Sequence, residues 1–143
     1  MTPVDPLLHR GEPEWVRQEH LNGCAVATLA MLLGKTYTDI VTLLAESPHP
    51  IEPDGWHRVG TTQYHVDWAL ATSGAFIQRR FSAWRWSMEP VAPIHYAQVV
   101  QPSNNTHFVV VLEDGSVLDP MREGVYALGD WEKVNQIVGV VWP

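Results

Sequence analysis

A single cysteine in 143 residues rules out an internal disulfide, so nothing in the chain requires an oxidising compartment. Basic residues are scarce as well. Nine Lys and Arg stand against sixteen Asp and Glu, the formal net charge is −7, and no basic cluster exists beyond Arg79-Arg80. A phosphate-binding stripe is therefore excluded, and nucleic acid is not an expected partner. Long apolar runs are missing too. The longest, Ala25 to Leu33 with Thr28 inside it, falls far short of the ~20 residues that span a bilayer, so no membrane partner is expected. The opening MTPVDPLLHRGEPE lacks a basic start followed by an apolar run. A signal peptide is not expected, and a soluble, cytoplasmic protein is the default. No repeat, low-complexity tract or linker divides the chain. Residues 1–143 read as one domain, long enough to bury a substantial core.

What is present is aromatic and irregular. Seven tryptophans and eleven prolines indicate a loop-rich fold with large packing units. Residues 1–16 carry Pro3, Pro6 and Pro13 without a sustained period and read as an extended arm. The stretch Gln18 to Gly34, QEHLNGCAVATLAMLLG, places the lone Cys24 directly before a run that is apolar on every face. That run predicts a buried helix from Ala25 to Leu33, begun after Asn22 or Gly23 and stopped by Gly34. A second helix is expected over roughly Asp39 to Glu46, started by Tyr37 or Thr38, and a third from Thr61 or Thr62 through Ser73, closed by Gly74. Between them, Ser47 to Gly60 holds Pro48, Pro50 and Pro53 and must be a loop, of a length that often forms a binding edge.

After Gly74 the pattern becomes that of strands: Ala75–Phe81, Val91–Gln101, Thr106–Glu113, Ser116–Asp119 after the Asp114-Gly115 turn, and Gln136–Trp142. A short helix is expected at Trp131–Val134. Helices first and antiparallel strands second indicate an α+β fold.

A thiol nucleophile needs a lowered pKa, a base, a group that orients the base, and donors for the oxyanion. Cys24 at a helix N-terminus meets unpaired N–H groups that favour thiolate. Gln18, six positions upstream, is spaced so that a loop brings its amide beside the Cys24 N–H as a second oxyanion donor. His107 opens the strongest strand and Asp119 ends the next. Whether these two meet depends on the turn between them. A two-residue turn at Asp114-Gly115 sets Asp119 opposite Val110, on the face away from His107. A three-residue loop with a left-handed Gly115 pairs Leu112 with Ser116 and sets Asp119 opposite Val109, diagonal to His107. Diagonal neighbours lie about 7–8 Å apart, within reach of both side chains. Catalysis therefore predicts the bulged turn.

The segments Gln18-x5-Cys24-Ala25-Val26-Ala27 with Met31-Leu32, then His107-Phe108-Val109-Val110-Val111 and Asp119-Pro120, resemble the papain-like cysteine peptidases. Within them the chain is most similar to the bacteriocin-processing branch, which cleaves after double-glycine leaders. The resemblance implies a papain-like α+β domain with a buried nucleophile helix packed on an antiparallel sheet. It implies Cys24 as nucleophile, His107 as base, Asp119 as the orienting residue and Gln18 as oxyanion donor, acting on a protein or peptide substrate with no cofactor. Ala25 departs from the glycine that often follows the cysteine, and its methyl is expected to crowd the substrate's approach.

Plainer roles stand beside these. Cys24 alone reads as a buried thiol, His107 as a hydrogen-bonded strand residue, Asp119-Pro120 as a strand-ending turn, and Gln18 as a loop residue. His20 is an alternative base, and Asn22 reads as a helix cap. The remaining histidines, His9, His49, His57, His65 and His95, have no ligand spacing, so no metal is expected. Trp84 and Trp86 share one face of an extended segment and read as core cover, while Trp56 and His57 are candidates for a cleft edge. The functional expectation is a thiol hydrolase of peptide or isopeptide bonds. Its competitor is an inactive copy of the same fold that serves as a protein-binding or inhibitor module, and a structural component of a larger assembly is the third class.

Overall fold

The computed structural model describes residues 13–20, 22–50, 62–81 and 94–142. Three helices, α1 (Cys24–Leu33), α2 (Tyr37–Ala45) and α3 (Gln63–Thr72), precede six strands. These are β1 (Phe76–Phe81), β2 (Ile94–Val100), β3 (Thr106–Val111), β4 (Ser116–Asp119), β5 (Arg122–Ala127) and β6 (Lys133–Val141). The strands form one antiparallel sheet in the order β1-β6-β2-β3-β4-β5. The helices pack on it, and the fold is α+β as expected.

Helix α1 is the keystone of the helical layer. From Ala25 to Leu33 every residue is buried, and Gly34 closes the helix in the left-handed conformation with φ 66°. Burying each of Val26, Leu29, Met31 and Leu33 contributes about 2 kcal/mol. The charge–dipole effects at a helix end are worth less than about 1 kcal/mol. Packing thus decides where α1 begins, and with it where Cys24 stands. The start of α2 is set by Thr36 rather than Tyr37 or Thr38. The Thr36 hydroxyl accepts from the Asp39 N–H at 3.1 Å, and the Asp39 carboxylate accepts from the Thr36 N–H at 3.3 Å. Polar bonds tie α3 to the sheet: the Tyr96 hydroxyl donates to Asp67 at 2.6 Å, and Gln136 donates to Gln63 and Gln98.

Strand β3 is buried on both faces, which is why it reads as a continuous apolar run. Phe108, Val110 and Leu112 join the main core under the helices. Val109 and Val111 join a second cluster with Ala97, Val99, Val117 and Trp131. Trp131 was expected in a short helix. Instead a 3-10 turn occupies Leu128–Asp130, β6 begins at Lys133, and the indole is needed to cover that second cluster. Strand β5 was not anticipated. Its residues, REGVYA, carry little β propensity, and it forms at the sheet edge by pairing with β4. Trp56, His57, Trp84 and Trp86 lie outside the described residues. Among the described residues no single helix is long and apolar enough to cross a membrane.

The β3–β4 connection takes the three-residue form. Val110 pairs with Leu118 and Val111 with Val117. The Leu112 N–H donates to the Ser116 carbonyl at 2.8 Å, and Gly115 has φ 88°. Continuing this register sets Asp119 opposite Val109, on the His107 side.

A Cβ at Gly115 would meet no heavy atom within 4 Å, so any penalty there is purely conformational. Gly115→Val should lower unfolding free energy by about 1–2 kcal/mol and Gly115→Asn by less, since asparagine tolerates this region. Urea unfolding midpoints at unchanged m report the difference; equal midpoints for all three proteins would contradict it.

Candidate active site

His107 and Asp119 meet in the interior, both nearly inaccessible, at 2% and 3% exposure. His107 Nε2 lies 2.6 Å from Asp119 Oδ1. The same carboxylate oxygen accepts the Met121 N–H at 2.9 Å, and Oδ2 accepts from Arg122 Nε at 3.1 Å. The bond from Met121, two residues on, makes Asp119-Pro120 the strand-ending turn that its sequence suggests. The turn and the pairing with His107 use one carboxylate.

Cys24 is partly exposed at the edge of the main core, and it is near enough to His107 to raise the pKa of the ring. With Nε2 facing Asp119, Nδ1 is the ring atom that remains for the thiol. Burial pulls the His107 pKa down, but the hydrogen bond it donates to Asp119, with the nearby Cys24 and the charges of both, outweighs that and holds the ring up at about 9. For Asp119, burial pushes the carboxyl up. The bonds to His107, the Met121 N–H and Arg122, with the His107 charge, outweigh that and keep it below its ordinary range. The pair is therefore imidazolium and carboxylate at neutral pH.

Gly23, not Asn22, is the N-cap of α1, and no side chain caps the helix. The first intrahelical bond runs from the Ala27 N–H to the Gly23 carbonyl. The N–H groups of Cys24, Ala25 and Val26 therefore have no acceptor within the helix, beside the thiol. Gln18 approaches the same place. Its side-chain amide donates to the His20 carbonyl at 3.1 Å, and the Gly23 N–H donates to that carbonyl at 3.0 Å. The backbone of this arm is sewn to the end of β4. The Gln18 N–H donates to the Pro120 carbonyl at 3.0 Å, and the Trp15 indole to the Asp119 carbonyl at 2.8 Å. All four expected residues thus gather at one end of the sheet. Ala25 is fully buried in the main core. Its methyl packs inward and does not stand in the approach to the thiol, which corrects the expectation that it crowds a substrate.

His20 is engaged elsewhere: its Nδ1 lies 3.0 Å from the Tyr37 hydroxyl, and the two rings stack. Burial pushes the Tyr37 pKa up to about 12, against the lowering effect of the neighbouring Glu19 and His20 backbone. Tyr37 thereby braces the turn between Gln18 and Cys24. Sequence reasoning used it only to mark a helix start, and a lone tyrosine carries no signal of such a role. His65 is structural too, bonded to Thr62 and to the His49 carbonyl. Among the described residues no cluster of His, Cys, Asp and Glu could hold a metal ion.

Two outcomes follow from this geometry. The raised His107 pKa makes its contribution to stability full below pH 6.5 and lost as pH rises through about 9. Asp119 behaves oppositely, contributing above the ordinary carboxylate range and less as the pH falls through its depressed value. Urea unfolding should therefore show wild-type stability falling by up to about 3 kcal/mol between pH 6.5 and 9, with a flattened slope in Asp119→Asn. Identical slopes would refute the pairing. A Cβ at Gly23 would run into the Tyr37 hydroxyl. Gly23→Ala should cost about 1–3 kcal/mol, and at least ~0.5 kcal/mol less in a Tyr37→Phe background. Strictly additive losses would mean that the hydroxyl is not the obstacle.

No protein-family model and no curated protein matches the chain. Solved structures do. The peptidase domain of Streptococcus ComA, a bi-functional ABC transporter involved in a quorum-sensing pathway, superposes with a TM-score of 0.65 at 14% identity, over 92% of this chain and 100% of that one. A double-glycine-motif protease from an AMS/PCAT transporter, in complex with the leader peptide, gives 0.63 at 17% identity, over 94% and 96%. The peptidase domain of Streptococcus mutans ComA gives 0.59 at 13%, over 89% and 98%. At these identities the likeness is one of fold: this chain has the fold of those peptidase domains.

Proposed function

We propose that the protein is a cysteine peptidase in which Cys24, His107 and Asp119 form the triad and Gln18 assists as an oxyanion donor. The observation that carries this reading is the buried His107–Asp119 bond of 2.6 Å with Cys24 close enough to act on the same ring. The Cys24 sulfur attacks the peptide carbonyl carbon while the thiol proton resides on His107 Nδ1. Charge then gathers on the carbonyl oxygen, which the Cys24 N–H and the Gln18 amide receive. The departing amine takes its proton from His107. Water attacks the acyl-cysteine with His107 as base, freeing the thiol and the carboxylic acid. Asp119 holds the ring in the tautomer and orientation that both halves of the cycle need.

The substrate class proposed is a peptide with a double-glycine leader. The support is the likeness in fold to a double-glycine-motif protease solved with the leader peptide.

Because Cys24 is the only cysteine, alkylation reads one site. Iodoacetamide at pH 6 should modify the wild type at least roughly tenfold faster than His107→Ala. A peptide ending its leader in Gly-Gly should be cleaved after that pair, with no cleavage by Cys24→Ala and a loss of roughly 10²–10⁴-fold in turnover for Asp119→Asn. Alkylation at an ordinary thiol rate, unaffected by His107→Ala, would sink the enzyme reading and favour a binding module. Fast alkylation without cleavage would sink only the substrate class.

A further inference from the structure

Asp119 ends β4 with both carboxylate oxygens engaged, and Oδ2 is taken by a residue that catalysis by a triad does not require. Arg122, the first residue of β5, donates its Nε to Oδ2 at 3.1 Å. The guanidinium is itself held. Its carbon lies 4.1 Å from the Tyr126 ring centre and 5.7 Å from that of Trp131, both within the range of cation–π attraction. Tyr126 is anchored by its hydroxyl on the Glu123 carbonyl at 2.9 Å, and Trp131 is buried in the second cluster. The arginine is half exposed, yet it has a fixed seat on two rings that belong to the fold.

We propose that Arg122 is a positioning residue for the reactive pair, holding the Asp119 carboxylate turned so that Oδ1 faces His107. The proposal rests on the triad reading. A buried carboxylate with one oxygen unpaired would rotate or draw in water, since an unsatisfied charge in the interior is costly. Met121 restrains Oδ1 but leaves Oδ2 free to swing about it. The Nε of Arg122 supplies the second point that fixes the plane, and Tyr126 and Trp131 keep the guanidinium from following a moving partner. The charged groups that act on Asp119 are His107 from β3, Arg122 from β5 and, through His107, Cys24 from α1. Among the described residues of the arm, the neutral indole of Trp15 bonds to the Asp119 carbonyl.

The test is the pH profile of iodoacetamide alkylation at Cys24 in the intact chain. Arg122→Met should slow the pH 6 rate roughly tenfold, as expected for a displaced catalytic partner. Its acid limb should move to higher pH, because Asp119 then protonates more readily. Arg122→Lys, which keeps the charge, should hold the limb near the wild-type position and recover part of the rate. Tyr126→Leu, which removes one seat and leaves the arginine, should give a smaller change in the same direction and remains informative if Arg122→Met does not fold. Wild-type activation that persists unchanged in the Met and Leu variants overturns the proposal and leaves the triad standing. An unactivated wild-type thiol overturns the triad itself, and the proposal with it.

Discussion

The site depends on a hydrogen bond between two groups that have almost no access to water. A carboxylate buried at 3% exposure and an imidazole at 2% are each expensive alone, and each is acceptable only in the other's presence. The 2.6 Å separation of His107 and Asp119 is the form of that compensation. It also explains why further partners converge on Asp119: the Met121 N–H and Arg122 satisfy the lone pairs that the histidine cannot reach. The histidine is kept charged against the pull of its own burial by Asp119 and Cys24 beside it.

That bond exists because of one extra residue in a turn. Strand side chains alternate faces, so a connection shorter by one residue would carry Asp119 to the face of Phe108 and Val110. Gly115 at φ 88° admits the longer loop, and the valines on either side of the register lock it. Val109, Val111 and Val117 are buried in the second cluster while Val110 and Leu118 are buried in the main core. A slip would exchange both sets. The His107–Asp119 diagonal is thus protected by the burial of the valines and leucine around it.

Much of this was legible in the chain. The apolar run after Cys24, the THFVVV strand, the Asp-Gly turn and the spacing to Asp119 all state local preferences that the tertiary structure reinforces, so the three helices, all five expected strands and the two alternative registers could be read directly. What escaped was set by context. Strand β5 has the composition of a loop and exists because β4 offers it an edge. Trp131 was pulled out of a helix by a cavity that only the folded sheet creates. Asn22 looks like a cap, but the helix starts where Gly23 fits beneath the Tyr37 hydroxyl. Ala25 looked like an obstruction because sequence gives its neighbour but not its direction, and its methyl is turned into the core. Arg122 and Tyr37 carry no motif; each is defined by what it touches.

The remaining question of assembly is how a thiol on the helical layer and a base on the sheet hold a constant separation. Packing of α1 on β3 fixes the layers, but packing alone tolerates small sliding. The arm between Trp15 and Gln18 removes that freedom. It bonds to the carbonyls of Asp119 and Pro120 on one side and leads into the His20–Gly23 turn and Cys24 on the other. The peptide that carries Gln18 is therefore fastened to Pro120 and, through Trp15, to the residue that pairs with His107. Displacing β4 would drag Gln18 with it, and unseating the arm would loosen the Asp119 turn. Cys24, His107 and Gln18 are thus tied together by one short seam between residues far apart in the chain.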